Sequence, residues 1–61
     1  MTHVKDTEQE LRKQAEYWQQ RAERYCSPAE FRIAAEYYER AQRYSEADYC
    51  RNRADFYARA K

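Results

Sequence analysis

Between Phe31 and Tyr44 the apolar residues fall on two stripes rather than one. On a helix advancing about 100° per residue, Phe31, Ala34, Ala35, Tyr38 and Ala41 share one side, and Ile33, Tyr37 and Tyr44 share another roughly opposite. A helix with two apolar sides needs two neighbours, and the rest of the chain can supply them. There is no glycine and a single proline, set against ten alanines and many Glu, Gln and Arg, so the usual punctuation of turns and strands is missing and helix is favoured almost throughout. The expected fold is all-α: an up-down-up three-helix bundle whose middle helix is covered from both sides.

Sixty-one residues make one domain, close to the size below which a single apolar core no longer holds a chain folded. Stability drawn partly from a partner is expected on that ground alone. Residues 1–5 read as a frayed end, with Asp6 or Thr7 as first cap, and the first helix as running to Tyr25. Its apolar positions Leu11, Ala15, Trp18, Ala22 and Tyr25 keep the four-then-three spacing of a coiled-coil seam, with Val4 before them and Tyr17 off the seam. Glu8 and Arg12 are spaced as an i,i+4 ion pair.

Ser27-Pro28-Ala29-Glu30 is the sharpest local signal. It offers a capping serine, a proline at the first helical position and a glutamate placed to close a capping box, so a second helix starts at Pro28 and doubles back on the first. The next break is softer. Continued beyond Ala41, the apolar stripe would meet Ser45, Asp48, Asn52 and Asp55, while apolar residues reappear half a turn away at Ala47, Cys50, Ala54, Tyr57 and Ala58. Ser45-Glu46-Ala47-Asp48 reads as a second, looser capping box. The expected helices therefore span about 6–25, 28–43 and 46–60, with a single long helix from Pro28 as the alternative, since no Gly or Pro enforces the second stop.

Twelve Lys and Arg oppose eleven Asp and Glu, and the balance is local: five of each sign in residues 1–26, three of each in 27–44, four against three in 45–61. No segment is a basic arm or an acidic tail, and a pI near 7.8 is low for a dedicated nucleic-acid module. No apolar run is long enough for a membrane and the first residues lack a signal core, so a cytoplasmic protein is expected. In an up-down-up order Cys26 and Cys50 lie on the order of 20 Å apart, against less than about 7 Å for a disulfide, and two free thiols are expected.

From Pro28 to Lys61 the chain is thirty-four residues long, and Phe31, Ala34, Ala35, Tyr38, Tyr44, Ala47 and Ala54 fall where the tetratricopeptide repeat carries its aromatic and small residues. This segment resembles one such repeat, and the first helix, with Ala15, Trp18, Ala22 and Pro28 just beyond it, resembles the second helix of a preceding one, about one and a half repeats in all. Arg51 departs from the pattern where a large aromatic stands, Gln42 where glycine is usual at the turn, and the closing proline is missing. The resemblance implies a scaffold that binds protein segments and has no enzymatic activity of its own.

Catalytic groups are scarce. His3, the only histidine, lies in the terminal tail, no His or Cys pair has metal spacing, and no Gly-rich loop could cradle phosphate. A non-enzymatic chain with no cofactor and no metal is expected. The surplus is aromatic: once the core is filled by Leu11, Trp18, Tyr25, Phe31, Tyr38 and Tyr57, with Ile33, Tyr37 and Tyr44 on the second seam, Tyr17, Tyr49 and Phe56 remain, accompanied by Arg53 and Arg59. Tyr and Arg dominate protein-binding hot spots, so these five form the candidate site for a protein partner or a second copy, a dimer in the simplest case. A small inhibitor or adaptor, such as a phage or plasmid accessory protein, fits the size. The alternative is nucleic-acid binding, with Tyr49 and Phe56 stacking on bases and Arg51, Arg53, Arg59 and Lys61 on phosphates.

Overall fold

The computed structural model describes residues 4–60, with side chains from residue 7 onward, so His3, Lys61 and the side chain of Val4 lie outside the described residues. Three helices follow in order: α1 from Val4 to Tyr25, α2 from Pro28 to Arg40 and α3 from Tyr44 to Arg59. There is no strand among the described residues. Two- and three-residue connections fold the chain back on itself twice, and α2 packs along α1 on one side and along α3 on the other, while α1 and α3 touch only marginally.

Alanine sets how the helices meet. The buried core is Ala15, Ala22, Ala34, Ala35, Ala41, Ala47 and Ala54 with Phe31, Tyr38 and Cys50, and of these only Phe31 and Cys50 are large side chains removed completely from solvent. Small residues on every contacting face leave little side-chain volume between the helix backbones. Phe31 fills what remains, stacking on Tyr57 of α3 at 5.6 Å between centroids and 12° between planes. Toward α1, the Tyr38 hydroxyl donates to Gln19 Oε1 at 2.7 Å. Gln19 in turn donates to Glu23, which also accepts from the Tyr49 hydroxyl at 3.3 Å, so a polar chain crosses α2, α1 and α3.

The two stripes of α2 do not divide between its neighbours as the sequence suggested. Glu30 and Tyr38 reach α1, whereas Phe31 and Glu39 reach α3. All of the fully buried residues of α2 belong to the Phe31 stripe; Ile33 and Tyr37 are half-buried and Tyr44 is exposed. A row flanked by alanines is wide enough for two helices to lie against the same arc. Tyr25, expected in the core, is the last residue of α1 and is 62% exposed. Ala58 is exposed as well: the Phe31–Tyr57 stack lies close to the start of α2, and α3 runs past it.

Both turns are closed by a residue in the left-handed region. After α1, Cys26 takes φ 52° and the Ser27 N–H donates to the Ala22 carbonyl at 3.0 Å. That bond uses the amide Glu30 would have capped, so only half of the expected box forms: Ser27 Oγ accepts from the Glu30 N–H at 3.3 Å, and the Glu30 carboxylate turns to Arg21 at 3.5 Å. After α2, Gln42 takes φ 63°, its N–H donates to Glu39 and the Arg43 N–H donates to Tyr38 at 2.8 Å, a complete Schellman closure. Helix α2 therefore ends at Arg40, not residue 43. The Arg43 carbonyl is left free to accept the Ala47 N–H, so α3 opens at Tyr44, ahead of Ser45, and the second capping box does not form. At the other end α1 is already helical at Val4, which places Asp6 and Thr7 inside the helix, and Arg12 pairs forward with Glu16 at 3.8 Å rather than back with Glu8.

The helices are staggered. The molecule is 48 Å long, whereas the 22-residue α1 spans only about 33 Å. Tyr49 lies level with Glu23, near the end of α1, so the second half of α3 continues beyond it. Two outcomes follow for stability. Gln42→Gly is expected to raise it by about 0.5–1 kcal/mol in urea unfolding, since glycine takes φ 63° without the Cβ penalty. Phe31→Ala is expected to cost about 3–5 kcal/mol, enough to remove most of the helical signal in circular dichroism.

Candidate protein-docking face

Four of the five residues singled out from the sequence lie together on the outer side of α3. Tyr49 is 45% and Phe56 58% exposed, about two turns apart, and both lie away from the buried line Ala47, Cys50 and Ala54. Phe56 meets the ring of Tyr57 edge-on at 5.3 Å and 74°, and Tyr57 rests on Phe31, so the exposed ring is braced directly against the core. Arg53 is half-buried between them. Its guanidinium lies 5.4 Å from the Phe56 centroid and 5.1 Å from that of Tyr57, and Nη2 donates to the Tyr57 hydroxyl at 2.8 Å. Arg59, one turn on, pairs with Asp55 at 3.4 Å across water-exposed surface. A shallow groove of about 320 Å³ runs beside Asn52, Phe56 and Arg59.

Tyr17, the fifth, is elsewhere. It is 52% exposed on α1 and meets Trp18 edge-on at 5.3 Å. Arg21 lies 5.9 Å from the Tyr17 and Trp18 rings and 5.6 Å from Tyr25, anchored by Glu30 of α2. No ring contact or hydrogen bond among the described residues joins this cluster to the α3 aromatics. Sequence reasoning overlooked Arg21 and Tyr25 as its members; the four-residue ladder Tyr17, Arg21, Tyr25 was the available signal.

The charges that would serve nucleic acid are largely occupied. Arg51 is held by Glu39 of α2 and by Asp48 at 3.3 Å, and the bond to Glu39 raises its already high pKa. Arg51 and Glu39 edge a polar groove of about 500 Å³ between α2 and α3, which also includes Arg32, Asn52 and Asp55. Arg43 holds the Glu46 carboxyl below the usual range through a 2.9 Å bond. No group of three or more His, Cys, Asp and Glu that could hold a metal ion occurs among the described residues, and no described helix is long and apolar enough to cross a membrane. In comparisons with known proteins, no family model, no curated protein and no solved structure matches the chain.

Both thiols are free, Cys26 exposed at the first turn and Cys50 buried in the core. Burial, reinforced by Glu23 and Glu46, pushes the Cys50 pKa from 9.0 up to about 11, and burial likewise pushes Tyr38 from 10.0 to about 12. The folded chain thus holds these protons more tightly than the unfolded chain. Their contribution is complete below pH 9.0 and is lost as pH rises through about 11 for Cys50 and about 12 for Tyr38. Thermal melts should show Tm falling across that interval, with a shallower fall in Cys50→Ala between pH 9.0 and about 11. At pH 8 a thiol reagent should label Cys26 at once and Cys50 only as fast as the chain opens.

Proposed function

We propose that this chain is a non-enzymatic protein-interaction module of the cytoplasm that docks a second protein surface, or a second copy of itself, on the outer side of α3. The observation that carries this reading is the placement of Phe56: a large aromatic ring, more than half exposed, is fixed against Tyr57 and through it against Phe31, where a rigid hydrophobic anchor loses little freedom on binding. Tyr49 adds a second ring two turns earlier, and Arg53 and Arg59 supply donors around them. The alanine-rich core gives a further reason, because each buried alanine removes little apolar surface from water and a partner would add what the core lacks. The tetratricopeptide-like hairpin and a role as small inhibitor or adaptor belong to the same proposal.

Nucleic-acid binding is supported less. Of the arginines meant for phosphates, Arg51 and Arg59 already carry carboxylate partners, and Asp48 and Asp55 stand among them. Replacing Tyr49 and Phe56 together by Ser should abolish association in sedimentation and in pull-down while helicity persists. Identical association by the double variant and the parent chain would end the docking proposal.

A further inference from the structure

The arginines of the described chain fall into two groups, with one exception. Arg12, Arg21, Arg43, Arg51 and Arg59 each have a carboxylate within salt-bridge distance. Arg24, Arg32 and Arg40 are exposed and keep their water. Arg53 is half-buried with no carboxylate beside it among the described residues, and its Nε is buried with no hydrogen-bond partner. Among the described residues its ring and hydrogen-bond partners are Phe56 and Tyr57, the latter through both its ring and its hydroxyl. Taking a guanidinium out of water costs free energy that ring contacts and one neutral hydrogen bond offset only in part. Arg12, the other half-buried arginine, also leaves its Nε without a hydrogen bond but has the Glu16 carboxylate at 3.8 Å.

We infer that the α3 face takes an acidic partner: a protein segment on which an Asp or Glu flanked by large apolar side chains sets its carboxylate on Arg53 while its apolar residues cover Phe56 and Tyr49. This rests on the docking reading and names the chemistry of the occupant. The cation is already desolvated on one side and its side chain already ordered by the Tyr57 hydroxyl, so a carboxylate gains a charge-assisted bond to a preorganised fork. A second copy fits less well. A two-fold axis along α3 sets Arg53 against its own counterpart, and an antiparallel pairing of Tyr49 with Phe56 centres between Asn52 and Arg53 and again brings the two guanidinium groups together. A polyanion fits less well too, since it needs a row of free cations and, among the described residues of this face, Arg51 and Arg59 are already paired with carboxylates.

The test is selection from a random-peptide display library on the full-length chain, with affinities of the selected peptides measured on variants whose helicity is first checked by circular dichroism. Enrichment of Asp or Glu beside Leu, Ile, Phe or Trp is expected. Affinity should fall at least about tenfold on Arg53→Gln, less on Arg53→Lys, and the preference should turn to basic peptides on Arg53→Glu. Peptides without acidic bias that need Tyr49 and Phe56 but tolerate Arg53→Gln would overturn the acidic partner and leave the docking face standing. If no selected peptide depends on Tyr49 or Phe56, both proposals fail. Self-association that survives Arg53→Glu, or a single-stranded oligonucleotide held through Arg53, would assign the face to a different occupant and overturn the inference.

Discussion

Close approach of α2 to both its neighbours depends on alanine at the points of contact. Ala15 and Ala22 on α1, Ala34 and Ala35 on α2 with Ala41 capping its end, and Ala47 and Ala54 on α3 leave room for backbones to come together, and Phe31 and Tyr38 occupy the little space that remains. Larger residues at these positions would push α1 and α3 apart and pull Tyr57 off Phe31. The same economy of volume explains why large side chains end up outside. A chain that fills its interior with alanine has no room there for Tyr17, Tyr25, Tyr44, Tyr49 or Phe56.

Much of this was legible beforehand, and the parts that were not have physical reasons. The first turn was read almost to the residue because Ser27-Pro28 is a local signal: a β-region cap followed by a ring that presets φ needs no tertiary information. The sequence sets the end of the second helix three residues late and the start of the third two late, because Gln42 adopts the left-handed conformation without being glycine, and no residue type announces that choice. Periodicity found the buried line of each helix, including Ala47, Cys50 and Ala54. It misjudged Tyr25 and Ala58 because a wheel gives the direction of a side chain and not whether the neighbouring helix is still alongside. Stagger is a property of relative helix length, set here by a 13-residue α2 between partners of 22 and 16.

The candidate face followed the same pattern. Tyr49, Arg53, Phe56 and Arg59 were recoverable from spacing alone, but the state of Arg53 was not. Its isolation became visible only when Arg51 was found tied to Glu39 across the α2–α3 seam and Arg59 to Asp55. Charge is balanced along the sequence, yet pairing in space leaves one half-buried arginine without a carboxylate among the described residues. Tyr17 failed to join the face because it belongs to the far side of α1, with Arg21 and Tyr25.

Everything above requires that α2 be covered from both sides while α3 is covered from one. Native-state amide hydrogen exchange reads that asymmetry residue by residue. Amides of Ala34, Ala35 and Tyr38 should exchange only through global unfolding, those of the first two turns of α1 and of Phe56 to Arg59 through local opening at least about tenfold faster. Uniform protection along all three helices, or an α2 that exchanges as readily as the end of α3, would contradict the account.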